Sequence, residues 1–209
     1  MSLTNVEYIQ KELDSIVLKN LLHMFQRRNY IKDHEKTFLT ISDSNSVLTN
    51  TILTVNGDID SKSDKVVYQI YKSASKLNSI SQGSQVDEFL KNDINNKKFL
   101  ILSEQNKKVF KQSREQYPNT EVFSQNELLE DIPSKDIIPN HHLLIKEERD
   151  ELLAHFNQKN FKKIFEYDIM SRYYGAVTGD IFRIERFNTT SGKGIDYRTV
   201  VSGKYDIIF

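Results

Sequence analysis

Apolar residues recur at steps of three and four over residues 4–27: Val6, Ile9, Leu13, Ile16, Val17, Leu21 and Met24. That spacing predicts one amphipathic helix. Thr4 and Glu7 stand at capping-box spacing, in which each side chain satisfies the other's free backbone N–H. Asn29 is a stop. The period then changes. TFLTI (37–41), TILTV (51–55) and VVYQIY (66–71) are rich in β-branched and aromatic residues and predict strands. Polar stretches SDSNS (42–46) and NGDIDSKSD (56–64) separate them. Asn56-Gly57 is a turn signal, because both residues tolerate positive φ.

Further along, helix and strand patterns alternate. Ser84 is placed to cap a helix carrying Val86, Phe89, Leu90 and Ile94. KKFLIL (97–102) reads as a buried strand, Lys107–Gln116 as a helix, EVF (121–123) as a short strand and Asn126–Glu130 as a turn or short helix. Such alternation favours parallel pairing with helices on the sheet's faces. DIPSKDIIPNHH (131–142) holds two of the three prolines, and each pushes its predecessor away from helix. The boundary falls here, giving domains 1–135 and 136–209. The second domain opens with a helix near 146–157 whose apolar face is Leu152, Leu153 and Phe156. Asp168 caps a shorter helix with Ile169, Met170, Tyr173 and Tyr174, and Gly175 suits the left-handed residue that ends it. IFRIERF (181–187) alternates, with Phe182 and Ile184 inward and Arg183 and Glu185 outward. YRTVV (197–201) and YDIIF (205–209) read as further strands.

Composition narrows the function classes. The 209 residues carry 29 Lys and Arg against 29 Asp and Glu, so no basic excess advertises a nucleic-acid binder acting alone. With no cysteine, disulfides, thiolate nucleophiles and Cys-ligated metals are excluded. The charged N-terminal dozen residues and the lack of a long apolar run predict a soluble intracellular chain.

Candidate chemistry is sparse. FNTTSGKGIDYR (187–198) resembles a phosphate loop, but Phe187 stands at the first glycine position and Gly194 where the hydroxyl belongs. A glycine-bearing turn between strands is the plainer reading. Gly175, Gly179 and Asp180 lack dinucleotide spacing. His141, His142, His155, Glu147 and Glu148 form no H-E-x-x-H, and neighbouring strand histidines point to opposite faces. Asp58, Asp60 and Asp64 fail the EF-hand pattern. Asp60-Ser61-Lys62 has the acid-x-lysine form of a nuclease site, but it lies among Ser and Gly rather than on a rigid strand. No catalytic residue, metal or cofactor emerges, which points to a binding or assembly role.

One stretch does resemble a known family. Pro139-Asn140-His141, the Glu-rich helix, and DIMSRYYGAVTGDIFRIERFNTTSGKGIDYR (168–198) resemble the C-terminal domain of the fifth, common subunit of eukaryotic nuclear RNA polymerases and its shorter archaeal counterpart. Asp168, Tyr173, Gly175, Gly179, Ile184, Arg186, Thr190, Ser191, Gly192, Tyr197 and Arg198 fall on the family pattern in order. Ile169 replaces a proline, Asn188-Thr189 a Ser-Glu pair and Lys193 an arginine, and SGKYDIIF follows the usual end. The first domain's layout is similar to the eukaryotic version, including a turn at Arg28-Asn29-Tyr30. The departures leave room for a version from a large DNA virus.

The resemblance implies a fold and a role. The N-terminal domain would be a nuclease-like, non-catalytic α/β jaw near downstream duplex DNA. The C-terminal domain would be a small α+β assembly domain anchored to the largest subunit. Partners would be that subunit, the other polymerase subunits and, weakly, DNA, with catalysis and its magnesium elsewhere. Location would be the nucleus for a cellular chain, or host cytoplasm or virion for a viral one. Two rivals remain: a metal-dependent nuclease using Asp58, Asp60 and Lys62, and a stand-alone adaptor.

Overall fold

The computed structural model describes residues 9–43, 48–57, 66–93, 95–117, 119–188 and 192–203. The chain forms two compact units that divide between Glu130 and Asp131.

The first unit contains α1 (Gln10–Arg27), α2 (His34–Asp43), β1 (Ile52–Asn56), β2 (Val67–Lys72), α3 (Gln85–Lys91), β3 (Lys97–Leu102), α4 (Lys107–Gln116), β4 (Thr120–Ser124) and α5 (Gln125–Leu128). The sheet order is β1-β2-β3-β4. β2, β3 and β4 pair in parallel, and β1 is antiparallel to β2. Parallel neighbours need crossovers, and α3 and α4 supply them. Tyr71, Leu100 and Val122 lie side by side in register. They pack against Val86, Phe89, Leu90 and Val109. On the opposite face Phe25 of α1 lies 4.6 Å from Phe99 and 5.3 Å from Tyr68, ring to ring. Helices therefore cover both faces, which is why β3 reads as an almost unbroken apolar run. Val17, Leu21, Leu22, Met24 and Phe25 are fully buried in α1, each stabilising the unit by about 1.5–3 kcal/mol.

Three sets of charged groups sit inside this unit. Lys72 and Asp14 are both buried and form an ion pair, and Asp14 also accepts from Thr49 at 2.6 Å and Gln10 at 2.9 Å. Arg28 forks onto Glu121 with bonds of 2.8 and 2.7 Å, joining the end of α1 to β4. Lys97 adds a 3.0 Å pair to Glu121 and donates to Tyr30 at 2.6 Å. Lys98 is buried and donates to the carbonyls of Leu90 (2.7 Å) and Asn92, closing the C-terminal end of α3. Burial pushes its amine below the usual lysine range.

Two expectations fail here. Residues 37–41 are helical, within α2, rather than a strand. The Asp33 side chain accepts from the N–H groups of Glu35 and Lys36, both at 3.0 Å, and so starts the helix. Thr37 and Thr40 donate their hydroxyls back to the carbonyls of Asp33 and Lys36, at 2.8 and 2.9 Å. His34, Thr37, Phe38 and Ile41 are the half-buried positions, a helical stripe. Ile9 is not on the buried face of α1; it is 71% exposed, because the helix begins only at Gln10. The Thr4–Glu7 box lies outside the described residues. Glu12 instead accepts from the N–H of Ile9 at 3.3 Å.

The second unit contains β5 (Asn140–Leu143), α6 (Lys146–His155), β6 (Lys162–Phe165), α7 (Ile169–Tyr174), β7 (Ile181–Asn188) and β8 (Gly192–Val201). Its sheet order is β5-β7-β8-β6. β7 and β8 form a long antiparallel hairpin, β5 flanks β7 antiparallel and β6 pairs with β8 in parallel. Ile164, Met170, Ala176, Phe182, Ile184 and Val200 make the core, with α7 across one sheet face. Asp168 caps α7, accepting from Met170 N–H at 2.9 Å, and Gly175 ends it at φ 66°. The whole chain is thus mixed α/β with two separate sheets.

The structural division precedes the proline segment's expected boundary at 135/136. Asp131 accepts the Tyr173 hydroxyl at 2.9 Å, and Ile132 and Ile138 pack on the second core. α6 also differs from expectation. No residue of it is buried; Leu152 and Leu153 are half-buried and Phe156 is 58% exposed. It is held from its polar side, through Glu148 to His142 at 3.0 Å and Arg149 to Asp180 at 3.8 Å. The strand expected at 205–209 lies outside the described residues.

Candidate functional site

The hairpin β7–β8 organises the second unit's surface. Strand alternation places Phe182, Ile184 and Arg186 on one face of β7, and Arg183, Glu185 and Phe187 on the other. In register, Phe182 lies opposite Arg198, Ile184 opposite Asp196 and Arg186 opposite Gly194. The expected loop is therefore mostly strand. β7 runs to Asn188, β8 starts at Gly192, and Lys193 and Gly194 are paired positions. Gly192 has φ 72°, the left-handed backbone that glycine adopts without strain.

The two carboxylates of the hairpin are each shared by two cations. Glu185 lies 2.9 Å from Arg183 and 2.6 Å from Lys193. The Lys193 hydrogen bond, chiefly, holds its carboxyl below the usual range. Asp196 lies 3.2 Å from Lys162 and 3.7 Å from Arg198. Arg186 is exposed and pairs with no carboxylate among the described residues. At the same end of the hairpin, on the other face, Phe187 is 88% exposed and Ile195 51% exposed.

The sequence-derived site residues separate into two groups. Asp168, Tyr173, Gly175 and Gly179 build the fold. The first three act at α7, and Gly179 (φ 102°) donates to Val200 at 2.9 Å and accepts from Gln158 at 3.0 Å. Pro139 orients a neighbour, its carbonyl lying 2.6 Å from Nδ1 of His141. His141 is half-buried, edge-on to Phe182 at 5.8 Å. Burial lowers its pKa, with Asp168 opposing and Arg198 and Arg186 assisting. His141, Asp168, Arg186 and Arg198 thus share one electrostatic neighbourhood. Tyr197 faces the other way, its ring 5.6 Å from Phe161.

Thr190 and Ser191 lie outside the described residues, as do Asp58, Asp60, Lys62 and Asp64. Among the described residues no group of three or more His, Asp or Glu side chains is placed to hold a metal ion. Nor is any described helix long and apolar enough to cross a membrane. Sequence reading missed Phe187 and Ile195 as surface residues. The signal was present, because the alternation that sends Arg183 and Glu185 outward sends Phe187 with them.

Residues 130–200 match the family described as "RNA polymerase Rpb5, C-terminal domain". That span covers the second sheet except for its last residue, Val201. An archaeal relative, DNA-directed RNA polymerase subunit Rpo5 of Methanocaldococcus jannaschii, is 37% identical over 67 residues, which is 31% of this chain and 86% of the relative. The chain belongs to the RNA polymerase subunit 5 family. Similarity to the family extends beyond the second unit. DNA-directed RNA polymerase subunit 5 of Acanthamoeba polyphaga mimivirus is 29% identical over 197 residues, 89% of this chain and 91% of the relative. The rpabc1 subunit of polymerases I, II and III of Dictyostelium discoideum is 37% identical over 91 residues, 43% of this chain and 46% of the relative.

Proposed function

We propose that the chain is a non-catalytic subunit of a multisubunit DNA-directed RNA polymerase. Its second unit anchors it to the largest subunit. Its first unit is a non-catalytic jaw of nuclease-like α/β fold that lies near downstream duplex and touches the DNA backbone without reading bases. The observation that carries the anchoring role is the exposure of Phe187 and Ile195, diagonal neighbours on one face of the hairpin within the family-matched span. Exposed apolar neighbours of this kind mark contact surfaces. The similarity to a mimivirus subunit over most of both chains favours a viral polymerase, acting in host cytoplasm or virion; a cellular chain would act in the nucleus.

Affinity purification of the tagged full chain from its source, followed by mass spectrometry, tests this. The largest polymerase subunit should be the leading partner. Gly192→Val and Tyr197→Ala should each reduce its recovery. Normal recovery with both variants would refute anchoring through the hairpin region.

A further inference from the structure

Among the described residues the paired end of the hairpin is uncovered on both faces, with Arg186 and Gly194 on one and Phe187 and Ile195 beside the Glu185–Lys193 ion pair on the other. Its strands carry four cations, Arg183, Arg186, Lys193 and Arg198, against two carboxylates, Glu185 and Asp196. Both carboxylates are already engaged. Among the described residues of the hairpin, Arg186 is the cation left without one. It lies on the same strand face as Phe182 and Ile184, both fully buried, yet is itself exposed. Its cross-strand neighbour is Gly194, which has no side chain to shield it. One residue further, Phe187 projects from the opposite face with 88% of its surface in solvent.

We infer that the paired positions 185–187 and 193–195 of the hairpin dock between two walls of the partner subunit, an acidic wall facing Arg186 and an apolar wall facing Phe187 and Ile195. This rests on the anchoring role proposed above and adds the partner's chemistry. An arginine fork takes a carboxylate in two parallel hydrogen bonds, and arginine and the large aromatics are both enriched at protein interfaces. A phosphate backbone would also satisfy Arg186. It would not cover Phe187 and Ile195, so a protein partner fits both faces where a nucleic acid fits one.

The test uses the full chain, co-expressed with the largest polymerase subunit from the same source and recovered at increasing salt. Arg186→Glu should lower recovery at least about tenfold, and Arg186→Lys much less, since lysine keeps the charge but loses the fork. Phe187→Asp should lower recovery to a similar degree, and the loss should persist at high salt. Lys163→Glu, an exposed cation on β6, should behave as wild type. All three positions are exposed, and unchanged melting curves confirm folding. If Arg186→Glu and wild type are recovered equally, the acidic wall is wrong while anchoring stands. If Arg186→Glu is recovered normally but the assembled polymerase loses retention on duplex DNA, Arg186 serves phosphate and the inference is overturned. If wild type itself is not recovered, the anchoring role fails, and the inference with it.

Discussion

The Tyr117 hydroxyl donates to Asp87 across 2.5 Å, tying the end of α4 to the first turn of α3. The same carboxylate accepts from Lys91 and from Gly83 N–H, both at 2.8 Å. These donors, Lys91 first, hold Asp87 down to about 2. An unfolded aspartate titrates near about 4. The unfolded chain therefore binds the proton first, and the stabilisation is full above about pH 4 and is lost as pH falls through about 2. Denaturant titrations of wild type and Asp87→Asn should diverge accordingly. The wild-type curve falls steeply over this window and the variant's is flatter.

Burial, and then Asp87, push Tyr117 up to about 12. A free tyrosine ionises near about 10. The group keeps its full stabilisation below about pH 10 and loses it as pH rises through about 12. Tyr68, also raised to about 12, adds a second such loss. Tyr117→Phe should therefore soften the alkaline fall in stability without abolishing it. Melting temperatures measured across that range will show whether the slope is shared between the two rings.

Removing the Glu121 carboxylate should be costly. Arg28's side chain is only 2% exposed. Burial alone would raise the Glu121 pKa, but the Arg28 guanidinium beside it prevails and keeps it low. Glu121→Ala strands a buried guanidinium and should destabilise the first unit by about 3 kcal/mol. Arg28→Met combined with Glu121→Leu should cost less than Glu121→Ala alone. Urea unfolding of the three chains decides it, and a double variant as unstable as the single one would contradict the pairing.

Some of this architecture was legible in the residues, and the limits were physical. β3 and α4 fall on their expected bounds, because a buried strand and a capped helix each write a complete local signal. α2 did not, because Thr37, Phe38 and Ile41 favour strands in isolation, and a side-chain cap at Asp33 outweighs that preference. The half-buried stripe His34, Thr37, Phe38, Ile41 was visible at helical spacing all along. In the second unit, alternation identified Phe182 and Ile184 as core. It could not show that Arg186 loses every hairpin carboxylate to its neighbours, which depends on cross-strand register. Likewise Asp14 stands at helical spacing with Val17, Leu18 and Leu21, and only its pairing with Lys72 explains an acid on that buried stripe.

Lys98→Met should shorten α3. The amine closes the carbonyls of Leu90 and Asn92, and methionine fills similar volume without a donor. Leaving the buried Leu90 carbonyl unmet costs about 1–3 kcal/mol. Amide hydrogen exchange should accelerate through residues 85–91 more than in β3 itself. Uniform acceleration across the unit would show that the lysine supports the sheet rather than the helix end.

The order β5-β7-β8-β6 means that only one strand pair in the second sheet joins sequence neighbours. β6 waits for a parallel partner that begins at Arg198, thirty-six positions after Lys162. On a translating ribosome β5 and β7 can pair first, but β6 has no partner until β8 has left the exit tunnel. A nascent chain broken off before that point carries every strand of the first sheet and a second sheet in which β6 has no partner. The strand order thus ties completion of the second sheet to the synthesis of β8, which ends at Val201.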